Sequence, residues 1–195
     1  MVSGIDRNIG RIRETLERLS MSENTILIFA SDHGMYYGER GLSDCWQLNE
    51  ESIRIPLIIY DPRSDSSGIV REEMALNIDI GPTILDFCDV TIPSVIQGRT
   101  LRPLIDGSAD EWRTSFFCEH LFDRHDIPKS EGVRTEHWKY IRYFEQNPIH
   151  EELYDLDSDP NESVNLASHM IFAEKLDEMR VQCDDLCHRA AIVSL

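Results

Sequence analysis

The strongest constraint in this sequence is the run Thr25-Ile-Leu-Ile-Phe-Ala-Ser31, apolar or β-branched almost throughout, which closes on Asp32-His33-Gly34. A run without polar alternation reads as a strand covered on both faces. The segment before it fits that reading. Ile5, Ile9, Ile12, Leu16 and Leu19 recur at helical spacing, with Arg7, Arg11, Arg13, Glu14, Glu17 and Arg18 between them, which predicts an amphipathic helix. A helix followed by a buried strand points to a parallel α/β sheet.

Further along, Ile55-Pro-Leu-Ile-Ile-Tyr60 reads as a second buried strand after a short helical turn at Glu50-Glu-Ser-Ile-Arg54, and residues 63–68 read as a polar loop. Ile80, Ile84, Leu85 and Cys88 predict a helix within residues 77–90, with Asp79 as its N-cap and Pro82 in its first turn. Pro93, Gly98, Pro103 and Gly107 argue against regular structure over residues 91–107. The chain then changes character. Residues 115–121, 132–144 and 151–156 are short aromatic-rich runs that predict an antiparallel sheet, and Phe172, Leu176, Met179, Cys183 and Leu186 predict a closing helix.

Charge limits the partners. Nineteen Lys and Arg against 36 Asp and Glu give −17, which opposes nucleic acid and anionic membrane surfaces. An anionic small substrate would need a bound cation or a local basic cluster to reverse that field. The N-terminus has no basic stretch followed by an apolar run, and 18 apolar residues never occur in succession, so the chain as written is expected to carry neither export signal nor membrane span. Five cysteines at irregular spacing argue against a disulfide framework.

Asp32-His33-Gly34 stands where the first strand should end, the edge at which α/β sheets bind ligands. A carboxylate beside an imidazole suits a divalent cation, although the triplet alone also reads as a strand-ending turn with a solvated Asp. Around it lie Asn24-Thr-Ile-Leu-Ile-Phe-Ala-Ser-Asp-His-Gly34, Gly38-Glu-Arg-Gly-Leu42 and Glu50-Glu-Ser-Ile-Arg-Ile-Pro-Leu-Ile-Ile-Tyr60. Asp79-Ile-Gly-Pro-Thr-Ile-Leu85, Gly98-Arg-Thr-Leu101, Glu131-Gly-Val-Arg-Thr135, Trp138-Lys-Tyr140 and Glu152-Leu-Tyr-Asp-Leu156 with Asp159-Pro160 follow. In this order and spacing they closely resemble the C-terminal portion of the sulfatases of the alkaline phosphatase superfamily.

The resemblance implies hydrolysis of a sulfate ester on a carbohydrate or other small sulfated alcohol. It implies one divalent cation, usually calcium, for which Asp32 and His33 match two of the ligands. It also implies a formylglycine nucleophile made from Cys or Ser in a C-x-P-S-R or C-x-A-x-R context. None of Cys45, Cys88, Cys118, Cys183 and Cys187 has that context, so the nucleophile is expected only in a full-length form. Many relatives place a sulfate-contacting Lys where Cys45 stands here, and a thiol cannot supply that cation. Some sulfatases set a His and a Lys from the C-terminal subdomain over the substrate, which makes His120 and Lys129 the candidate substrate contacts. The alternative is that His120 packs and Lys129 is solvated.

Other residues read as structural. Asp155-x-Asp157-x-Asp159 lacks the Gly and Glu of an EF-hand loop and reads as a turn. Cys183 and Cys187 read as core positions of the last helix, and Arg134, Lys139 and Arg142 as one solvated basic face of a strand. The expectation is an α/β chain: residues 1–110 form the C-terminal part of the sulfatase α/β domain, and 111–195 a small antiparallel sheet with a terminal helix. Two rival readings are a non-catalytic truncated module or subunit and a phosphoric ester or phosphonate hydrolase of the same superfamily. The expected partners are a sulfated small molecule in the complete enzyme and a second copy, or a chain supplying the N-terminal half, to cover exposed sheet surface. The compartment is left open, although full-length relatives are often exported.

Overall fold

The computed structural model describes residues 2–64 and 68–192, so the expected loop at 63–68 lies partly outside the described residues. Two compact units are formed, one from Met1–Ser31 with Ile55–Val70 and the other from Asp32–Arg54 with Arg71–Leu195.

The first unit holds α1 (Val2–Arg18), β1 (Leu27–Ala30) and, far on in sequence, the strand Leu57–Tyr60. The helix forms as its spacing predicts, but no residue of it is buried, and Val2 and Ile12, like Leu19 just past its end, are largely exposed. The two strands pair antiparallel, with Leu27 opposite Tyr60 and Ala30 opposite Leu57. Here the sequence reading needs correction twice. Apolar composition reports burial and not strand direction, which is set by how the connection returns. The expected burial on both faces is also incomplete: β1 is half-buried, and Ile58 and Tyr60 face outward. One helix and two strands supply too little surface to cover both faces of the pair. Arg13 lies over the Tyr60 ring at 5.9 Å.

The second unit begins with a small hairpin, β2 (Tyr36–Tyr37) against β3 (Ser43–Asp44), and a single-turn helix α2 (Glu50–Ile53). After β4, the strand Leu57–Tyr60 of the first unit, come α3 (Ile80–Phe87) and α4 (Arg102–Asp106). The short helix α4 corrects the expectation of irregular chain across 91–107: Pro103 at its first turn favours the start, and Gly107, at φ 70°, ends it in the left-handed region. Asp79 also does something other than cap α3. Fully buried, it accepts hydrogen bonds from the backbone N–H of Leu76 and of Arg99 and pairs with the Arg113 guanidinium. Thr83 Oγ1 meanwhile accepts the Leu101 N–H. The Asp79-Ile-Gly-Pro-Thr83 and Gly98-Arg-Thr-Leu101 motifs are therefore two halves of one buried polar knot.

A four-stranded antiparallel sheet follows: β5 (Ser115–His120), β6 (Ser130–Thr135), β7 (Trp138–Tyr143) and β8 (His150–Asp155), in that order across the sheet. The single run expected at 132–144 is two strands with a tight turn at Glu136-His137, whose entry is fixed by Trp138 N–H donating to Thr135 Oγ1. The closing helix α5 (Ala173–Ile192) lies against one face, where Val133, Tyr140 and Leu153 meet Leu176, Met179 and Cys183. Cys183 is thus a core residue, as its helical position implied. On the other face Ile141, Tyr143 and Tyr154 pack with Leu48 and Ile53 from the α2 segment. Each fully buried apolar side chain here contributes about 1.5–3 kcal/mol relative to exposure. The Asp155-x-Asp157-x-Asp159 segment is a turn, in which Asp155 Oδ1 accepts the Asp157 N–H and Asp159 Oδ2 accepts the Val164 N–H.

Because both sheet faces are covered, the expected solvated basic face does not exist. Positions 139 and 142 are three apart on one strand and so point to opposite sides. Lys139, with no exposed surface, faces α2 and lies 2.6 Å from Glu50 and 2.5 Å from Glu162. Arg142 faces α5 and pairs with Glu131 and Asp184. Arg134, on the Lys139 side, lies 3.5 Å from Glu50. Among the described residues no helix is long and apolar enough to cross a membrane.

Candidate functional site

The site is built within the second unit from two loops tied to α2. Gly34 N–H donates to the Ser52 carbonyl at 2.6 Å, and a Cβ at Gly34 would come 2.1 Å from the Glu51 carbonyl oxygen. Only glycine permits that approach, which is why the triplet ends in Gly. From the same turn of α2, Ser52 Oγ donates to the Cys45 carbonyl at 2.6 Å. The helix thereby holds the 32–34 turn and the Cys45 loop side by side.

Four side chains converge there. His33 Nδ1 lies 2.6 Å from the Gly34 carbonyl, and with the proton on Nδ1 the lone pair sits on Nε2. Nε2 is 3.7 Å from Asp32 Oδ2 and 3.6 Å from Cys45 Sγ. Asp32 also accepts the His33 backbone N–H. Cys45 Sγ is 3.4 Å from Asp44 Oδ1, and burial, then the hydrogen bond to Asp44 and the charges of Asp44 and Asp32, push its pKa up. These surroundings disfavour the thiolate form of Cys45.

The chemistry of this donor set fits part of a divalent cation site. Asp32, its side chain 85% exposed, and His33 bring one carboxylate and one imidazole nitrogen within 3.7 Å of each other. Calcium takes six to eight oxygen ligands as a rule. Among the described residues no group of three or more His, Cys, Asp and Glu is placed to hold a metal ion. Asp32 and His33 could hold such an ion only with further donors.

His120 and Lys129 sit at the same end of the β5–β6 pair, where His120 opposes Ser130. Their surroundings differ. His120 meets the Trp46 ring edge-on at 5.6 Å, its Nε2 is buried without a hydrogen-bond partner, and burial lowers its pKa. Lys129 Nζ is held by Glu145 at 3.0 Å and Asp123 at 3.4 Å, and those partners raise its pKa. Trp46 links the two parts of the site, since it follows Cys45 directly in the chain and touches His120. The sequence reading did not single it out, because nothing local distinguishes Trp46 from a core tryptophan.

A second group that reading missed lies behind α2. Arg40 donates to the Glu162 and Asn161 carbonyls, its Nη2 is 3.2 Å from Glu162 Oε2, and its Nε is 3.6 Å from Glu51. Glu162 in turn accepts the Glu50 N–H at 3.0 Å. This buried network fixes α2, and through α2 the two loops of the site. Strand parity could have revealed Lys139, but not its partners, which lie 89 and 23 positions away in sequence.

Comparison with known proteins agrees with this architecture. Residues 38–189 match the family described as N-sulphoglucosamine sulphohydrolase, C-terminal. An N-acetylglucosamine-6-O-sulfatase of Bacteroides thetaiotaomicron is 35% identical over 185 residues, covering 91% of this chain and 33% of its own length. Human arylsulfatase K is 30% identical over 176 residues, covering 86% of this chain and 32% of its own. Among solved structures, a protein in complex with its substrate D-glucosamine-2-N,6-O-disulfate superposes with a TM-score of 0.90 at 31% identity, over 97% of this chain and 39% of that one. A phosphonate monoester hydrolase of Agrobacterium radiobacter superposes with a TM-score of 0.87 at 25% identity, over 97% and 40%.

The α/β fold with its antiparallel sheet and terminal helix is that of the C-terminal part of alkaline phosphatase superfamily hydrolases. Within that class the chain belongs to the sulfatases, the sulfuric ester hydrolases matched by the N-sulphoglucosamine sulphohydrolase C-terminal family. It spans about a third of the length of these curated relatives.

Proposed function

We propose that the complete protein hydrolyses a sulfate ester of a carbohydrate or other small sulfated alcohol, and that residues 1–195 alone are catalytically incomplete. The observation that carries this reading is the Asp32–His33 pair, converging at 3.7 Å on a turn that Gly34 fastens to α2. A divalent cation, calcium by family resemblance, would when bound neutralise sulfate oxygens and favour the attacking oxygen as its anion. Formylglycine is expected only in a full-length form.

In this chain, Asp32 and His33 would supply two ligands, with His33 oriented by its Nδ1–H bond to the Gly34 carbonyl. His120 and Lys129 would contact the substrate from the β5–β6 end. Lys129 would need to exchange Glu145 or Asp123 for a sulfate oxygen, while Cys45 contributes no charge where relatives carry Lys. Residues 1–110 then form the last part of the large domain and residues 111–195 the small subdomain. The exposed apolar residues of α1 and β4 favour cover by a second copy or by a chain supplying the N-terminal half.

The test is hydrolysis of 4-nitrophenyl sulfate. The complete protein should turn it over in a divalent-cation-dependent way and lose at least a hundredfold on Asp32→Asn; residues 1–195 alone should not. Turnover by residues 1–195 that Asp32→Ala abolishes would sink the claim of incompleteness and the reading as a non-catalytic module together. A phosphonate monoester hydrolase is the second reading, favoured by the 0.87 superposition. A phosphonate monoester hydrolysed faster than the sulfate would select it.

A further inference from the structure

Both loops of the site hang on one residue of α2, by two different kinds of bond. Gly34 N–H donates to the Ser52 backbone carbonyl at 2.6 Å, whereas the Ser52 hydroxyl donates to the Cys45 carbonyl, also at 2.6 Å. The first bond survives any substitution at position 52, since every residue carries the carbonyl. The second depends on the side chain alone.

Packing does not call for a hydroxyl at this position. Ser52 is 3% exposed on a helix of a single turn. Alanine would fill nearly the same space and would bury no donor in need of a partner. A serine inside a helix commonly turns its hydroxyl back to the carbonyl four residues before it. Here it reaches seven residues back, beyond its own helix, to the loop.

That loop has little else to hold its backbone. Among the described residues, no backbone–backbone hydrogen bond fastens residues 45–48, so the Ser52 hydroxyl is the tether of the segment. The segment stands between the two parts of the site. Cys45 Sγ lies 3.6 Å from His33 Nε2, and Trp46, next in the chain, meets the His120 ring edge-on at 5.6 Å. His33 belongs to the turn held by the Ser52 carbonyl and His120 to β5, so the tether fixes what lies between them.

We propose that Ser52 is a positioning residue: its hydroxyl sets the Cys45–Trp46 segment against His33 on one side and His120 on the other, and so holds the substrate-side histidine in register with the cation-side pair. This inference rests on the sulfate ester reading and adds to it the group that joins its two halves. Because the two bonds use different atoms of Ser52, Ser52→Ala cuts the segment loose and leaves the 32–34 turn in place.

The test compares the complete protein with its Ser52→Ala and Ser52→Thr variants. Iodoacetamide labelling of each cysteine is followed by mass spectrometry of tryptic peptides, in which Cys45 falls in residues 41–54 and Cys118 in 114–124. Ser52→Ala should speed labelling of Cys45 about five- to tenfold, the worth of one hydrogen bond, and leave Cys118 and Cys183 unchanged. Ser52→Thr keeps the hydroxyl and should return Cys45 toward its original rate. Calcium affinity, measured by titration calorimetry, should be the same in Ser52→Ala as in the unsubstituted protein. With 4-nitrophenyl sulfate, Ser52→Ala should raise KM about tenfold and leave kcat nearly unchanged, the pattern of a lost binding contact.

Equal labelling of Cys45 with and without the hydroxyl overturns the proposal. So does labelling of Cys118 and Cys183 that rises in step with Cys45, because the hydroxyl would then serve the fold as a whole. A loss of calcium affinity in Ser52→Ala, or a KM that does not move, overturns it as well. Absence of turnover by the unsubstituted protein removes the sulfate ester reading alone, since the labelling rates need no substrate and still decide what Ser52 holds.

Discussion

Lys139 and Glu162, neither with exposed side-chain surface, stand 2.5 Å apart on the sheet face turned toward α2. Removing one member of such a pair leaves an uncompensated charge where water cannot reach it. Lys139→Met should therefore destabilise the protein by about 3–5 kcal/mol in urea denaturation, and adding Glu162→Gln should recover part of that loss. A single-mutant loss of less than about 1 kcal/mol would place the pair in water and not in the core.

The same network sets an acid limit. Burial pushes the Glu50 carboxyl up, but Lys139 and then Arg134 outweigh it, and the net effect holds Glu50 below its ordinary 4.5. A carboxyl depressed in the folded state adds stability that is fully present above the unfolded pKa and is lost as pH falls through the folded one. The urea midpoint should hold steady just above pH 4.5 and decline below it, and Lys139→Met should flatten the decline.

Gly34→Ala places a methyl 2.1 Å from the Glu51 carbonyl oxygen, inside van der Waals contact with backbone that cannot rotate away. The turn must then lift from α2. We expect a loss of about 1–3 kcal/mol by thermal denaturation. Weaker divalent-cation binding should accompany it in the complete protein, since Asp32 and His33 ride on that turn. An unchanged melting temperature would show that the turn is not fastened to the helix.

His137, exposed at the β6–β7 turn, pairs with Asp157, and that hydrogen bond followed by the charge raises its pKa above 6.5. A raised imidazole contributes stability below its unfolded pKa and loses it as pH rises through the folded one. Its ring proton resonance should titrate above the ordinary histidine value, and Asp157→Asn should return it there. Identical titrations in both proteins would remove the pair.

How much of this was legible beforehand depends on the distance over which each cause acts. The helices at α1, α3 and α5 and the strands β1, β4, β5 and β8 follow from local periodicity. The resemblance to sulfatases followed from motifs such as Asp32-His33-Gly34 and Asp79-Ile-Gly-Pro-Thr83, whose residues sit together in sequence. The short helix α4 was missed because its Pro and Gly read as breakers when they are its start and stop.

What the amino-acid order determined alone was the family, the class of fold and the turn that carries Asp32 and His33, since each is written in residues a few positions apart. Tertiary structure decided the rest. Strand composition reports burial but not direction, so only pairing showed that Leu27 faces Tyr60. A basic residue on a strand reads as solvated until both faces of the sheet are seen to be covered, and only then does Lys139 become a buried cation. Trp46 and Phe122, 76 positions apart, came to stack on each other because the chain returned the end of β5 to the loop after Cys45. Contacts of that range depend on the closed path of the backbone, which no local pattern encodes.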